Sequence, residues 1–368
     1  MSSKEKIRNT NIEVLRILSI LMIISFHYVY KSQYEYINLT SNTIFIKSFW
    51  FFGELGVNLF ILITGYYLSN AKASFKKFVL LISEVLFYNF LLYIIGYVIN
   101  RTPLDISLLF PIITGKYWFI TAYLLIYILS PFYNVLISSM KKNTYQKFLL
   151  INLLIWCVIP TLFGLQYNTS ESIMYYNRFI WLSYMYFVGA YIRIFKIKFL
   201  SNKKNTLLTI FITSTLMISS IFVIYLLKDL FIRIGTSEIA YFWTPNNIFM
   251  FILSVSIFTF FTQITFKNNE IINKLASTTL GIYLLHDGHL VNYIWEKIFN
   301  SHQNIYSNMF FFHILNATFS IFVIGAAIDL VRQLLEKKTT KKIVDSKVWP
   351  NIYSKIKLQT TNLIDKIL

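Results

Sequence analysis

The chain has 368 residues, 56% hydrophobic and 18% aromatic, and only 14% charged against the roughly 25% usual for soluble domains. A soluble fold of that apolarity would leave too little polar surface for water, so an integral membrane protein is the class that remains. The net charge of +18 would suit nucleic acid, but the cations lie in short loops between apolar runs and in the tail, and no nucleic-acid partner is expected.

A helix needs about 20 residues to cross a bilayer. Apolar runs of about that length fall near 12–30, 46–69, 77–99, 117–137, 148–166, 179–195, 206–227, 246–266, 275–296 and 309–331. They predict an all-α, polytopic membrane protein of about ten transmembrane helices. No small-residue cleavage site follows the first run, so it reads as a retained helix and not a signal peptide.

Loop charge orients the chain. With the N-terminus in the cytoplasm, the inside receives Lys4, Lys6 and Arg8; Lys72, Lys76 and Lys77; Lys141, Lys142 and Lys147; Arg193, Lys196, Lys198, Lys203 and Lys204; Lys267 and Lys274; and the cations from Arg332 onward. The outside receives only Lys31, Lys47, Arg101, Lys116, Arg178, Lys228, Arg233 and Lys297. By the positive-inside bias both termini are cytoplasmic. Residues 1–335 form the membrane domain and 336–368 a basic cytoplasmic tail, whose lysines, mixed with Ile, Leu, Val and Trp349, suit anionic lipid headgroups. The longest outside segment, roughly 228–245, is too short to fold alone. A single cysteine, Cys157, rules out a disulfide framework. Richness in Ile, Lys, Asn, Phe and Tyr is what an AT-rich bacterial genome encodes.

Ionisable groups are expensive in hydrocarbon and mark candidate sites. In the first run Arg16 and His27 are separated by ten residues. Eleven helical steps bring His27 back to within roughly 20° of Arg16 and about 16.5 Å further along the axis. Arg16 also reads as a topogenic cation that snorkels to water, and His27 as a histidine bonded across helices. The functional reading of His27 is a general base, because neutral imidazole near pH 7 suits proton abstraction from a hydroxyl.

The second run, WFFGELGVNLFILITGYYLS (50–69), places Glu54 and Asn58 one turn apart as candidate contacts to a polar ligand. Its Gly53, Gly56 and Gly65 read as close helix packing. Lys72, Lys76 and Lys77 follow it on the cytoplasmic side, where an anionic cofactor finds a place. Trp118, opening the fourth run, reads either as a membrane-interface aromatic or as a platform for a sugar. In the ninth run, LGIYLLHDGHLV (280–291), His286 lies near mid-depth as a wall of the cavity that holds His27. His286, Asp287 and His289 lack a third and fourth metal ligand at useful spacing, so no metal is expected. His302 and His313 read as loop and interface residues. Phosphate-binding glycine loops, a GxSxG elbow and CxxC pairs are absent.

These residues resemble the membrane acyltransferase-3 family. Arg16 and His27 match its R-x(10)-H spacing, GVNLFILITGY (56–66) its glycine-rich second segment, and YWFITAYLLIYILSP (117–131) its fourth. MYFVGAYI (185–192) and LGIYLLHD (280–287) follow in the family's order, so that the resemblance covers about residues 10–335. It implies a ten-helix enzyme of the bacterial plasma membrane that moves an acyl group from cytoplasmic acyl-CoA, usually acetyl-CoA, to a hydroxyl of a surface glycan. On that resemblance His27 is the catalytic histidine, Arg16 the cation supporting the donor, and His286 a further site residue. Two features depart from the pattern: Tyr123 stands where many relatives carry Glu, as in the surface-polysaccharide O-acetyltransferase-like branch, and the lysines after Tyr66 are spaced differently. The extracellular hydrolase-like domain of some relatives is not found, so the chain is expected to complete transfer itself or to hand over to a partner.

The expectation is thus an O-acetyltransferase acting on a cell-surface polysaccharide or its lipid-linked precursor. A transporter of such a glycan is the alternative, although its usual marks, inverted repeats and Gly- or Pro-broken helices, are not evident in the sequence. A sugar polymerase would be expected to carry a large outside loop.

Overall fold

The computed structural model describes residues 9–33, 41–71, 73–100, 110–163, 177–227, 244–344 and 346. Among them the chain is all-helical. The principal helices are α1 (Thr10–Lys31), α2 (Ser41–Leu68), α3 (Phe75–Asn100), α4 (Trp118–Ser139), α5 (Lys142–Phe163) and α6 (Arg178–Ile194). They continue with α7 (Lys203–Leu226), α8 (Ile248–Gln263), α9 (Glu270–Ala276), α10 (Thr279–His286) and α11 (Phe310–Lys338). Among the described residues seven helices are long and apolar enough to cross a membrane. The sixth and eighth predicted runs emerge as shorter helices of 17 and 16 residues, which reach about 26 and 24 Å.

The helices alternate in direction, as hydrogen bonds at the two ends of the bundle record. At one end Asn11, near the start of α1, donates to the carbonyl of Phe261 at the end of α8. There too Asn134 of α4 donates to the Leu68 carbonyl closing α2 (3.0 Å), and Gln146 of α5 to the Tyr191 hydroxyl of α6 (2.8 Å). At the other end His302 meets the carbonyl of Ser32 (2.9 Å), and the Ile248 amide that opens α8 donates to Thr161 of α5 (3.3 Å).

α1 is central. It packs on α2, α8, α9, α10 and α11, and 61% of its span is buried, against 17% for α5. Close approach depends on missing side chains: a Cβ at Gly56 would lie 2.7 Å from the carbonyl oxygen of Ser19, and one at Gly65 would strike the backbone of Tyr186. The peripheral helices turn Ile94, Val98, Phe132, Val135, Leu150 and Phe211 outward. Such an apolar surface is at home only in lipid.

Helix breakers are accommodated as a membrane requires, by giving each freed carbonyl another donor. Pro131 in α4 cannot donate to the carbonyl of Tyr127, and the Ser130 hydroxyl does so instead at 2.8 Å. Pro160 likewise leaves the carbonyl of Trp156 without its amide; that turn of α5 relaxes to a π-helix at Leu154–Val158, and Asn246 donates to Trp156 at 3.1 Å.

The predicted single helix over 275–296 does not form. It divides into α9, α10 and a π-helical turn, Tyr293–Ile298, with a break at residues 287–290. Asp287–Gly288 is the cause: Gly288 packs where a Cβ would meet Leu92 of α3 and, at 2.9 Å, the hydroxyl of Tyr117. A broken helix is therefore present where the sequence shows only a continuous apolar run.

A buried ion cluster fastens α3 to α11. Arg332 binds Asp329 (2.6 Å), Glu336 (2.6 Å) and Glu84 (3.2 Å), while Tyr88 donates to Asp329 at 2.9 Å. Arg332 is thus no solvated tail cation but the counter-ion of three carboxylates. Replacing it by Ala leaves them uncompensated, and the expected cost is about 3–5 kcal/mol. Thermal unfolding in detergent should show a marked fall in Tm, partly restored in Arg332→Lys.

Candidate active site

A cavity of about 870 Å³ runs the length of the bundle. Its walls follow helical periodicity. α1 contributes Arg16, Ile20, Ile23, His27 and Lys31, and α2 contributes Gly53, Glu54, Val57, Phe60, Thr64 and Tyr67. Trp118, Tyr123 and Tyr127 line it from α4, and Thr279, Tyr283 and Asp287 from α10 and the break beyond it. Arg16 and Lys77 stand at one end, Lys31, Lys116 and Arg178 at the other.

His27 and His286 meet inside this wall, with Nδ1 of His27 2.9 Å from Nε2 of His286. Nδ1 of His286 lies 2.6 Å from the carbonyl of Ile282. A carbonyl only accepts, so His286 carries its proton on Nδ1 and offers a lone pair at Nε2. His27 must then donate from Nδ1, and its own Nε2 holds a free lone pair. His286 is fully buried and wedged edge-on against Tyr283 and Trp295, so His27 is the member of the pair that reaches the cavity. Asp287 places a carboxylate oxygen 3.9 Å from Nε2 of His27. That gap is too long for a hydrogen bond but close enough to stabilise an imidazolium. Asp287 is the C-cap residue of α10, its amide still donating to the Tyr283 carbonyl at 3.2 Å, so the last turn of that helix sets the carboxylate beside His27.

At the Arg16 end, the Arg16 Nε approaches Glu13 at 3.5 Å without making a hydrogen bond. The buried Tyr67 hydroxyl faces the same space with no protein partner among the described residues. Both side chains line that end of the cavity.

The profile of one protein family, described as an acyltransferase domain, acyltransferase-3, matches residues 9–330. The chain belongs to the acyltransferase-3 family. No curated protein and no solved structure gives a significant match. The chain is therefore a membrane acyltransferase by family, and His27, with its exposed lone pair, lies in the matched region.

The other candidates of this acyltransferase divide. Glu54 and Trp118 line the cavity, and the Arg178 guanidinium stacks 4.4 Å above the Trp118 ring. Asn58 does not line it. Its amide donates to the Pro245 carbonyl (2.9 Å) and the Ser254 hydroxyl (3.3 Å) and accepts from the Trp181 indole (2.9 Å), so it bolts α2 to α6 and α8. Lys76 is exposed and away from the cavity, whereas Lys77 lines it. Lys72 lies outside the described residues. His289 lies in the turn beyond α10, with Nε2 2.9 Å from the side-chain oxygen of Asn89. Tyr67 and Glu84 also line the cavity and are not among the residues expected from the sequence. Continuing the three- and four-residue stripe of α2 beyond Glu54 reaches Tyr67, and Glu84, the lone carboxylate within the apolar run 77–99, carries the signal of an ionisable group in hydrocarbon.

The geometry predicts a fixed tautomer. Nitrogen-15 NMR of histidine-labelled protein should show His27 protonated at Nδ1 and bare at Nε2. Replacing His286 by Ala should mix the His27 tautomers; an unchanged spectrum would refute the anchoring role.

Proposed function

We propose that the protein is an O-acyltransferase that moves an acetyl group from cytoplasmic acetyl-CoA to a hydroxyl of a cell-surface polysaccharide or its lipid-linked precursor. It works as a multi-pass protein of the bacterial plasma membrane, with ten passes and both termini cytoplasmic. The observation that carries this reading is a single cavity that joins Arg16 to the bare Nε2 of His27.

The donor enters from the Arg16 end. Arg16 and Lys77 meet the phosphates of CoA, with Tyr67 beside them, and the pantetheine arm covers the about 16.5 Å from Arg16 to His27. The acceptor enters from the Lys31 end. His27 Nε2 takes the proton of the sugar hydroxyl as the oxygen attacks the thioester carbonyl. The carbon–sulfur bond breaks, and the departing thiolate recovers that proton from His27. Products are the sugar ester and free CoA. While His27 is charged, Asp287 faces the new cation and His286 keeps the ring in place. The break after His286 in isolation favours the transporter alternative; on the acyl-transfer reading the C-cap residue at its start, Asp287, serves the base.

Purified protein in proteoliposomes, with radiolabelled acetyl-CoA and glycan from cells lacking the gene, tests this. His27→Ala should insert normally and lose about 10²–10⁴-fold in kcat. Arg16→Gln should chiefly raise KM for acetyl-CoA. Wild-type turnover by His27→Ala would overturn the mechanism, and glycan movement without acetyl-CoA would make the protein an exporter.

A further inference from the structure

Three cations from three separate segments meet at one mouth of the cavity: Lys31 from the last turn of α1, Lys116 from the loop before α4, and Arg178 from the first residue of α6. All three belong to the minority of cations on the outside, where the positive-inside bias disfavours them. Among the described residues none of them pairs with a carboxylate at ion-pair distance. The guanidinium carbon of Arg178 lies 4.4 Å over the Trp118 ring, which places this cation at the mouth.

The carboxylates of this half of the cavity lie deeper. Asp287 stands beside His27, and Glu54 follows Gly53, which packs on the ring of Phe26 next to His27. Lys31 is one turn beyond His27, about 6 Å along α1. Charge is therefore layered, with cations at the mouth and carboxylates at the level of the base. Tyr30 and Trp50, 5.8 Å apart, stand toward the mouth and reach down to Phe26 at the level of His27, an aromatic wall suited to stacking on a sugar face.

Building on the acyl-transfer reading, we propose that the acceptor is an acidic glycan. Its anionic group sits among Lys31, Lys116 and Arg178, and a hydroxyl about one turn deeper meets His27. Asp287 and Glu54 repel the anion from the base, so the layering sets which way round the acceptor enters. The anion is a sugar carboxylate or a phosphate, the latter including the diphosphate of a lipid-linked precursor.

The test uses full-length protein in proteoliposomes, radiolabelled acetyl-CoA, and glycan from a deletion strain. The glycan is offered untreated, after chemical reduction of its carboxylates, and as the lipid-linked fraction before and after mild-acid removal of the diphosphate. The expected result is a fall in kcat/KM of at least about tenfold, the worth of one charge-assisted hydrogen bond, after whichever treatment removes the recognised anion. The treatment responsible identifies the source. Lys31→Gln, Lys116→Gln and Arg178→Gln should each raise KM for the untreated glycan and flatten its dependence on salt, while Arg178→Lys keeps part of the effect. Equal transfer to charged and neutralised acceptors, or no change of KM in the three variants, overturns the proposal. Transfer to none of the acceptors overturns the acyl-transfer reading itself.

Discussion

The hydrogen bond from His27 to His286 is the interaction on which the site depends. It holds only because Ile282, one turn back along α10, offers a carbonyl that fixes the proton on His286. The consequence passes through two rings: the backbone sets the tautomer of a buried histidine, and that histidine sets the tautomer of the one facing the cavity. An imidazole free to choose would present N–H and lone pair in turn. Here the lone pair stays in the cavity, and the packing of Tyr283 and Trp295 keeps His286 from turning.

The rest of the fold serves this pair. α1 carries His27 through the centre of the bundle, packed by Gly56 of α2 against Ser19. α10 ends at His286, and its C-cap residue Asp287 brings a carboxylate oxygen to 3.9 Å from His27. The cluster around Arg332 fastens α11 to α3, and Gly281 of α10 nests against Asp329 and Tyr88 of that cluster. The ionic fastening and the histidine pair therefore share one short helix, and stability and chemistry are linked through α10.

Much of this was legible in the sequence. The ten-residue gap between Arg16 and His27 fixes their common face by helix geometry alone, and both line one cavity. The apolar runs locate the long helices because an uncharged stretch of about 20 residues matches the thickness of a bilayer and exceeds what most soluble cores bury. What failed did so for physical reasons. Glu54 and Asn58 are one turn apart, yet about 40° of azimuth separates them, enough to send one to the cavity and the other to Trp181 and Pro245. The run 275–296 is apolar on average despite His286, Asp287 and His289, and averaged hydropathy does not register that Asp287–Gly288 ends a helix. In the ion cluster Asp329, Arg332 and Glu336 follow local helical spacing, but the pairing of Arg332 with Glu84 of a distant helix is one that no local pattern encodes.

On the proposed reading the cavity passes an acyl group to a surface glycan through His27. Proton NMR of surface polysaccharide from cells with the intact gene, a deletion, and the deletion complemented by His27→Gln tests it most directly. O-acyl signals should vanish in the last two while the amount of polymer is unchanged. Intact O-acylation with polymer missing from the surface would contradict the claim and assign the protein to glycan export.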